Sequence, residues 1–186
     1  MKSIQLILKK CLKKDRISQQ WIYENFYAYA LKIAFRYSDS YQDAANVVND
    51  SFVKMYTSLH QFNLNDTEQA TEARFKGWLV RIVINKGIDH YRSNSNKIVF
   101  QNFEDDVYEI VDESSNAETL LMYKEMIQYL KELPINYQLV FNMHVIDGYT
   151  HAEIATILNM NEGTSKSNLY RAKQMLQEKL SVFLSK

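Results

Sequence analysis

The chain has little of what shapes turns and cross-links. Its 186 residues include one cysteine, one proline and four glycines. A single thiol, Cys11, excludes an internal disulfide and suits a reducing cytoplasm. So few glycines and prolines leave scant material for the tight turns of hairpins and sheets, which predicts an all-α chain. Pro134 fits the first turn of a helix. No apolar run approaches the ~20 residues that cross a bilayer. The segment MKSIQLILKKCLKKD is basic, but its apolar run is short and no small-residue cleavage site follows. It reads as the start of an amphipathic helix rather than a signal peptide, and no membrane insertion is expected. Also missing are a phosphate-binding glycine loop, a nucleophile motif and metal-ligand spacing. His60, His90, His144 and His151 are scattered, so neither an enzyme nor a metal or other cofactor is expected.

The formal net charge is zero, which by itself argues against a nucleic-acid partner, but the charge is unevenly distributed. Residues 1–100 hold 15 Lys/Arg against 9 Asp/Glu, a net of +6. Residues 101–118 hold seven acids and no base, a net of −7. Residues 119–186 hold 7 bases against 6 acids, a net of +1. An acidic connector between two non-acidic units is the natural reading.

Apolar residues at helical spacing mark the first unit. Within residues 17–37, Ile22, Phe26, Tyr29, Ile33 and Tyr37 form a stripe flanked by Trp21 and Ala30, the pattern of a core face. Within residues 41–59, Ala44, Val47, Val48, Ser51, Phe52, Met55 and Leu59 form another. Asp43, Asn46, Asn49, Asp50 and Lys54 oppose it, a face that is either solvated or suited to a basic helix. Residues 63–73 lack apolar periodicity and read as a loop. Phe75, Trp78, Leu79, Ile82 and Val83 then open a further helix among Arg74, Lys76, Arg81, Lys86, His90 and Arg92. Cations interleaved with Trp78 and Tyr91 are what single-stranded DNA needs, though a basic solvated helix has the same composition. Gly87 costs about 1 kcal/mol against Ala inside a helix, so a break is expected near it.

Residues 93–118 shift from polar to acidic and read as a flexible linker, with a short extended piece at 98–100. A helix is expected from Thr119 to about Leu133, and another from Pro134 to Asp147-Gly148. In THAEIATILNMNEGTSKSNLYRAK, Thr150 and Glu153 have the spacing of a capping box. Ile154, Ala155, Ile157 and Leu158 give an apolar face, and Asn159 suits a left-handed helix end. Asn161 can cap a second helix, with Lys166, Ser167, Asn168, Arg171 and Lys173 outward. Leu169, Ala172, Met175, Leu176 and Leu180 are expected inward. Two short helices at a tight turn read as a helix-turn-helix, although an ordinary helical hairpin would share these features.

Three of these stretches together resemble the extracytoplasmic-function sigma factors of bacterial RNA polymerase. Asp43–Phe52, DAANVVNDSF, is similar to that family's core-binding motif, DAEDLVQETF. Phe75–Arg92, FKGWLVRIVINKGIDHYR, resembles its promoter-melting segment. Leu133–Leu176 resembles its second-domain segment, with LP, a G-[LY]-[ST]-x-x-E-I-A helix and G-T-V-K-S-x-L-x-R-A. The resemblance implies a core-polymerase-binding set of Asp43, Asn46, Val47, Asn49, Asp50 and Phe52. It implies minus-ten contacts by Trp78, Arg81, Asn85, Lys86, Asp89 and Arg92, with Asn85 holding a flipped base. Minus-thirty-five contacts would come from Thr164, Lys166, Ser167, Asn168, Arg171 and Lys173, with Asn168 and Arg171 reaching base edges. Ala45, Asn46 and Asn49 stand where the family has Glu, Asp and Gln, lowering the negative charge of the docking face. Ser165 replaces the usual Val and removes a buried apolar contact, which predicts a looser seat for its helix.

The expectation is therefore an all-α promoter-specificity subunit of two small helical domains. Residues 1–95 would dock core polymerase and melt the minus-ten element. Residues 96–118 would be an acidic flexible linker, either generic or mimicking nucleic acid in the RNA-exit path. Residues 119–186 would read the minus-thirty-five element. Core RNA polymerase, promoter DNA and, by family analogy, an anti-sigma factor are the implied partners, in the cytoplasm. A helix-turn-helix regulator acting without polymerase is the alternative, and it would have no need of the Asp43–Phe52 helix.

Overall fold

The computed structural model describes residues 3–38, 40–64, 67–94 and 125–184. Every regular element among these residues is helical, and the chain divides into two units, Met1–Ile110 and Val111–Lys186. The acidic stretch 101–118, the piece at 98–100 and the helix start expected at Thr119 lie outside the described residues.

In the first unit α1 (Ile4–Leu12), α2 (Arg16–Ala34), α3 (Tyr41–Ser58) and α4 (Glu68–Asn94) pack around one core. Short hydroxyl and carboxylate side chains start the first three helices. Ser3 accepts from the Leu6 amide, Asp15 from Ser18 and Ser40 from Asp43, each cap worth about 1 kcal/mol. The core takes Leu8 from α1, Ile22, Phe26 and Ala30 from α2, and Val47, Val48 and Met55 from α3. Phe75, Leu79, Val83, Ile84 and Ile88 complete it from α4. Each large side chain so buried contributes roughly 1.5–3 kcal/mol. Tyr29, expected in the α2 core stripe, is 38% exposed instead.

Two expectations for α4 fail for identifiable reasons. The helix begins at Glu68, inside the stretch read as a loop. The Thr67 hydroxyl accepts from the Ala70 amide at 3.4 Å, and Thr71 is fully buried one turn ahead of Phe75. A threonine carries this first core position, so an apolar count misses it. Glu68 also ties α4 to α1, accepting from the Ser3 hydroxyl at 2.5 Å and from the Ile4 amide. The expected break at Gly87 is absent, and α4 is one helix of 27 residues. Gly87 is buried where a Cβ would meet the Tyr37 Cβ at 2.7 Å. The glycine lets α4 approach the Phe35–Tyr37 turn that ends α2.

In the second unit, residues 125–131 form α5. Pro134 then precedes α6 (Ile135–Phe141), which runs on as a π-helical turn, Asn142–Ile146. Gly148, at φ +75°, takes the left-handed conformation that turns the chain toward α7 (His151–Leu158). The Thr150–Glu153 capping box is formed in both directions, and Asn159 ends α7 at φ 51° and ψ 52°. Then α8 (Glu162–Leu184) packs on α6 and α7. Leu130, Leu133, Ala172 and Leu176 make its core with Ile127, Tyr137, Phe141 and Met175. On α7 only Ile154 is buried; Ala155, Ile157 and Leu158 are half-buried.

Candidate nucleic-acid interface

Three polar surfaces carry the residues singled out from the sequence. On α3, Asn46, Asn49 and Asp50 are exposed and lie on one face. Asp43 is half-buried: its backbone amide donates to the capping Ser40 hydroxyl at 3.0 Å, and its carboxylate lies 3.1 Å from His90 Nε2 of α4. Asn49 is held by the Tyr23 hydroxyl, which donates to its Oδ1 at 2.9 Å. Val47 and Phe52 do not share this face, being 1% and 2% exposed. Four residues after Ala44 and Val48 respectively, Val48 and Phe52 continue the inner stripe, and the Phe52 ring centroid lies 4.9 Å from that of Tyr23. Val47 and Phe52 set the shape of α3 from beneath, and Tyr23 joins the face from α2, a neighbour that no spacing within α3 could reveal.

On α4, Arg81, Asn85, Asp89 and Arg92 are exposed at intervals of four, four and three, so they form one stripe. At 1.5 Å per residue the stripe is about 16 Å long. Because α4 is unbroken, these side chains stand on a single rigid rod. Lys86 is half-buried at its edge. Trp78, also half-buried, packs on Phe62 with ring centroids 5.2 Å apart. Its indole is thus committed in part to the turn that follows α3 rather than standing free as a stacking surface. The His90–Asp43 contact links this stripe to the α3 face.

On α8, Thr164, Lys166, Ser167, Arg171 and Lys173 are exposed. Lys166 pairs with Glu162 at 2.7 Å, an exposed ion pair worth little. The Arg171 guanidinium donates to the Tyr137 hydroxyl at 3.1 Å, so α6 helps aim it. Asn168 is not on the outer face: it is 7% exposed, in line with Ser165 and Ala172. A base-edge role for Asn168 therefore does not fit this arrangement. Leu180, expected inward, is 40% exposed. The outer face instead includes Tyr170, 63% exposed, whose hydroxyl accepts from Gln174 Nε2 at 3.0 Å. The inner positions Ser165, Leu169, Ala172 and Leu176 imply an outward Tyr170, a signal obscured by attending to charge alone. Ser165 is fully buried, but a hydrogen bond to His151 Nδ1 at 2.9 Å replaces the apolar contact it lacks. The expected loosening of α8 is thus countered.

Among the described residues no group of acidic, histidine or cysteine side chains could hold a metal ion, and no helix is long and apolar enough to cross a membrane.

Comparison with known proteins matches both units. The model of sigma-70 region 2 matches residues 22–97, and that of sigma-70 region 4 matches residues 123–176. The ECF RNA polymerase sigma-E factor of Salmonella typhimurium is 25% identical over 188 residues, covering 95% of this chain and 93% of its own. The ECF RNA polymerase sigma factor SigW of Bacillus subtilis is 23% identical over 201 residues, covering 95% and 98%. The fold is shared with CnrH, solved in complex with the cytosolic domain of CnrY, at 18% identity and a TM-score of 0.53, covering 97% of this chain and 99% of that one. It is shared also with the sigma factor RpoE of Bartonella quintana, solved with the anti-sigma factor NepR, at 17% identity and a TM-score of 0.55, covering 88% and 96%. With region 2 and region 4 matched in order along a chain similar throughout to these factors, the protein belongs to the extracytoplasmic-function family of sigma factors, the alternative sigma factors that direct RNA polymerase to promoters.

Proposed function

We propose a division of labour within this sigma factor. Residues 1–95 dock core polymerase through Asp43, Asn46, Asn49 and Asp50, and open the minus-ten element along Arg81, Asn85, Asp89 and Arg92. Residues 119–186 read the minus-thirty-five element with Thr164, Lys166, Ser167, Arg171 and Lys173. The observation that carries this reading is the exposed α4 stripe on an unbroken helix. Guanidinium groups near its two ends attract phosphate, while the Asn85 amide between them offers both a donor and acceptors to an extruded base. Flipping a base costs a few kcal/mol, which contacts in such a pocket offset. Lys86 and Trp78 support the stripe from its edge, and Val47 and Phe52 support the docking face from the core. Residues 96–118 connect the two parts with their negative charge, and the chain works without chemistry of its own in the cytoplasm, where polymerase is found. One similar solved structure is a sigma factor in complex with an anti-sigma factor, and another is CnrH in complex with the cytosolic domain of CnrY, which supports an anti-sigma partner for this chain as well.

The test is run-off transcription with core polymerase on a random promoter library, followed by Asn85→Ala on a selected promoter. Permanganate reactivity of the opened minus-ten thymines should drop about tenfold, the worth of one or two hydrogen bonds to a base, with polymerase binding intact. Unchanged opening would overturn the role given to Asn85.

A further inference from the structure

Two of the four histidines, seven residues apart in sequence, meet at the joint of the helix-turn-helix. The rings of His144 and His151 stack with centroids 4.2 Å apart and planes within 15°. The His144 Nδ1–H donates to the Tyr149 carbonyl at 2.8 Å, fixing that ring to the turn before α7. His151, first residue of α7, meets the buried Ser165 hydroxyl of α8 at 2.9 Å through Nδ1. A continuous chain of contacts thus runs from the π-helical turn through α7 to the inner face of α8. Ser165 is fully buried, and its hydroxyl needs a partner there.

We propose that His144, His151 and Ser165 form a clasp that positions α8 while the His151 imidazole is neutral and loosens it in acid. The consequence for DNA rests on the reading of α8 as the helix that reads the minus-thirty-five element. Two stacked imidazoles accommodate one proton more readily than two, because the second charge would sit beside the first. The groups around His151 sharpen this. Lys166 and Lys173 of α8 and His144 of the preceding turn oppose a positive ring, and Glu162 of α8 alone favours it. Burial first, then these neighbours, holds the His151 imidazole below its ordinary value of 6.5. A lowered folded value means that the contribution of the neutral ring is complete above about 6.5 and is lost as pH falls through that lower value.

The test is amide hydrogen exchange on the full chain at pH 7.5 and 5.5, with rates converted to protection factors and α2 as the internal reference. Protection over residues 150–170 should fall severalfold on acidification, as the contribution of the neutral His151 ring is lost. His144→Phe keeps a ring on His151 but cannot charge, and should lessen that fall while the burial of His151 preserves part of it. Equal loss in His144→Phe and the natural chain, or no loss in either, would overturn the clasp. Should the variant not fold, the natural chain still decides. The Ser165 and Lys166 amide shifts should titrate with the His151 ring in NMR spectra, and flat shifts would refute the proposal. Binding to a duplex bearing the selected upstream element is measured alongside. Absent binding at every pH with the exchange pattern intact would refute the DNA reading of α8 and uphold the clasp.

Discussion

Replacing Gly87 with Ala separates two physical arguments by sign. Helix propensity alone favours alanine by about 1 kcal/mol inside a helix, so Gly87→Ala should stabilise an α4 judged by itself. The tertiary contact says the opposite. The new Cβ would sit 2.7 Å from the Tyr37 Cβ and 3.3 Å from its Cγ, roughly 1 Å inside ordinary carbon contact. The Tyr37 Cβ is fixed to backbone at the end of α2 and cannot swing aside as the tip of a flexible chain would. Overpacking of this kind costs about 1–3 kcal/mol. Set against the propensity gain, the net is a destabilisation of up to about 2 kcal/mol. Trp21 and Trp78 are the only tryptophans and both lie in the first unit, so their fluorescence during urea unfolding reports that unit without the second. The midpoint should fall with little change in slope, and the thermal midpoint of that unit should drop by up to about 8–16 °C. A rise in either midpoint would refute the close-approach argument. Because Asn85 lies two residues before Gly87, the same variant should also weaken promoter opening.

Asn46→Lys with Asp50→Lys should abolish co-purification with core polymerase while leaving the tryptophan unfolding curve near that of the natural chain, and retained binding would favour a regulator independent of polymerase. Phe52 has no place in that test, since a lysine at a 2% exposed position would unfold the unit. Neutralising Lys166 and Arg171 together should flatten the salt dependence of promoter binding by about 1.8, at ~0.9 for each phosphate no longer neutralised; an unaltered slope in a salt titration would remove them from the DNA surface. Burial and the Asp15 charge raise the Cys11 thiol from 9.0 to about 11, so stability of the first unit should be full below about pH 9 and decline as pH rises toward 11. Alkylation of Cys11 at pH 8 should then be slow and should quicken in Glu68→Ala, which unties α1 from α4; rapid labelling of the natural chain would contradict its burial.

Local chemistry is what the sequence shows most directly. The Thr150–Glu153 box, the left-handed Asn159 and the inner stripe of α3 depend on neighbours within four residues, and each formed as the spacing implies. The all-α class follows from the scarcity of glycine and proline. The α4 start is legible only in part, because a buried threonine stands where an apolar residue would have marked the period. Asn168 and Phe52 show a different failure. A family motif names positions without saying which way each points, and the helical period of Ser165, Asn168, Ala172 and of Val48, Phe52, Met55 turns both inward.

The sequence by itself determined the helices, their caps and the membership of two matched regions, because these rest on residue type and short-range spacing. Only tertiary structure decided that Gly87 continues a helix rather than breaking it, since its reason is Tyr37, fifty residues away. Likewise, only packing brought Tyr23 to Asn49, Arg171 to Tyr137 and His144 to His151 and Ser165. Contacts between elements depend on how helices cross and how closely their backbones approach, and no periodicity within one helix encodes its partner.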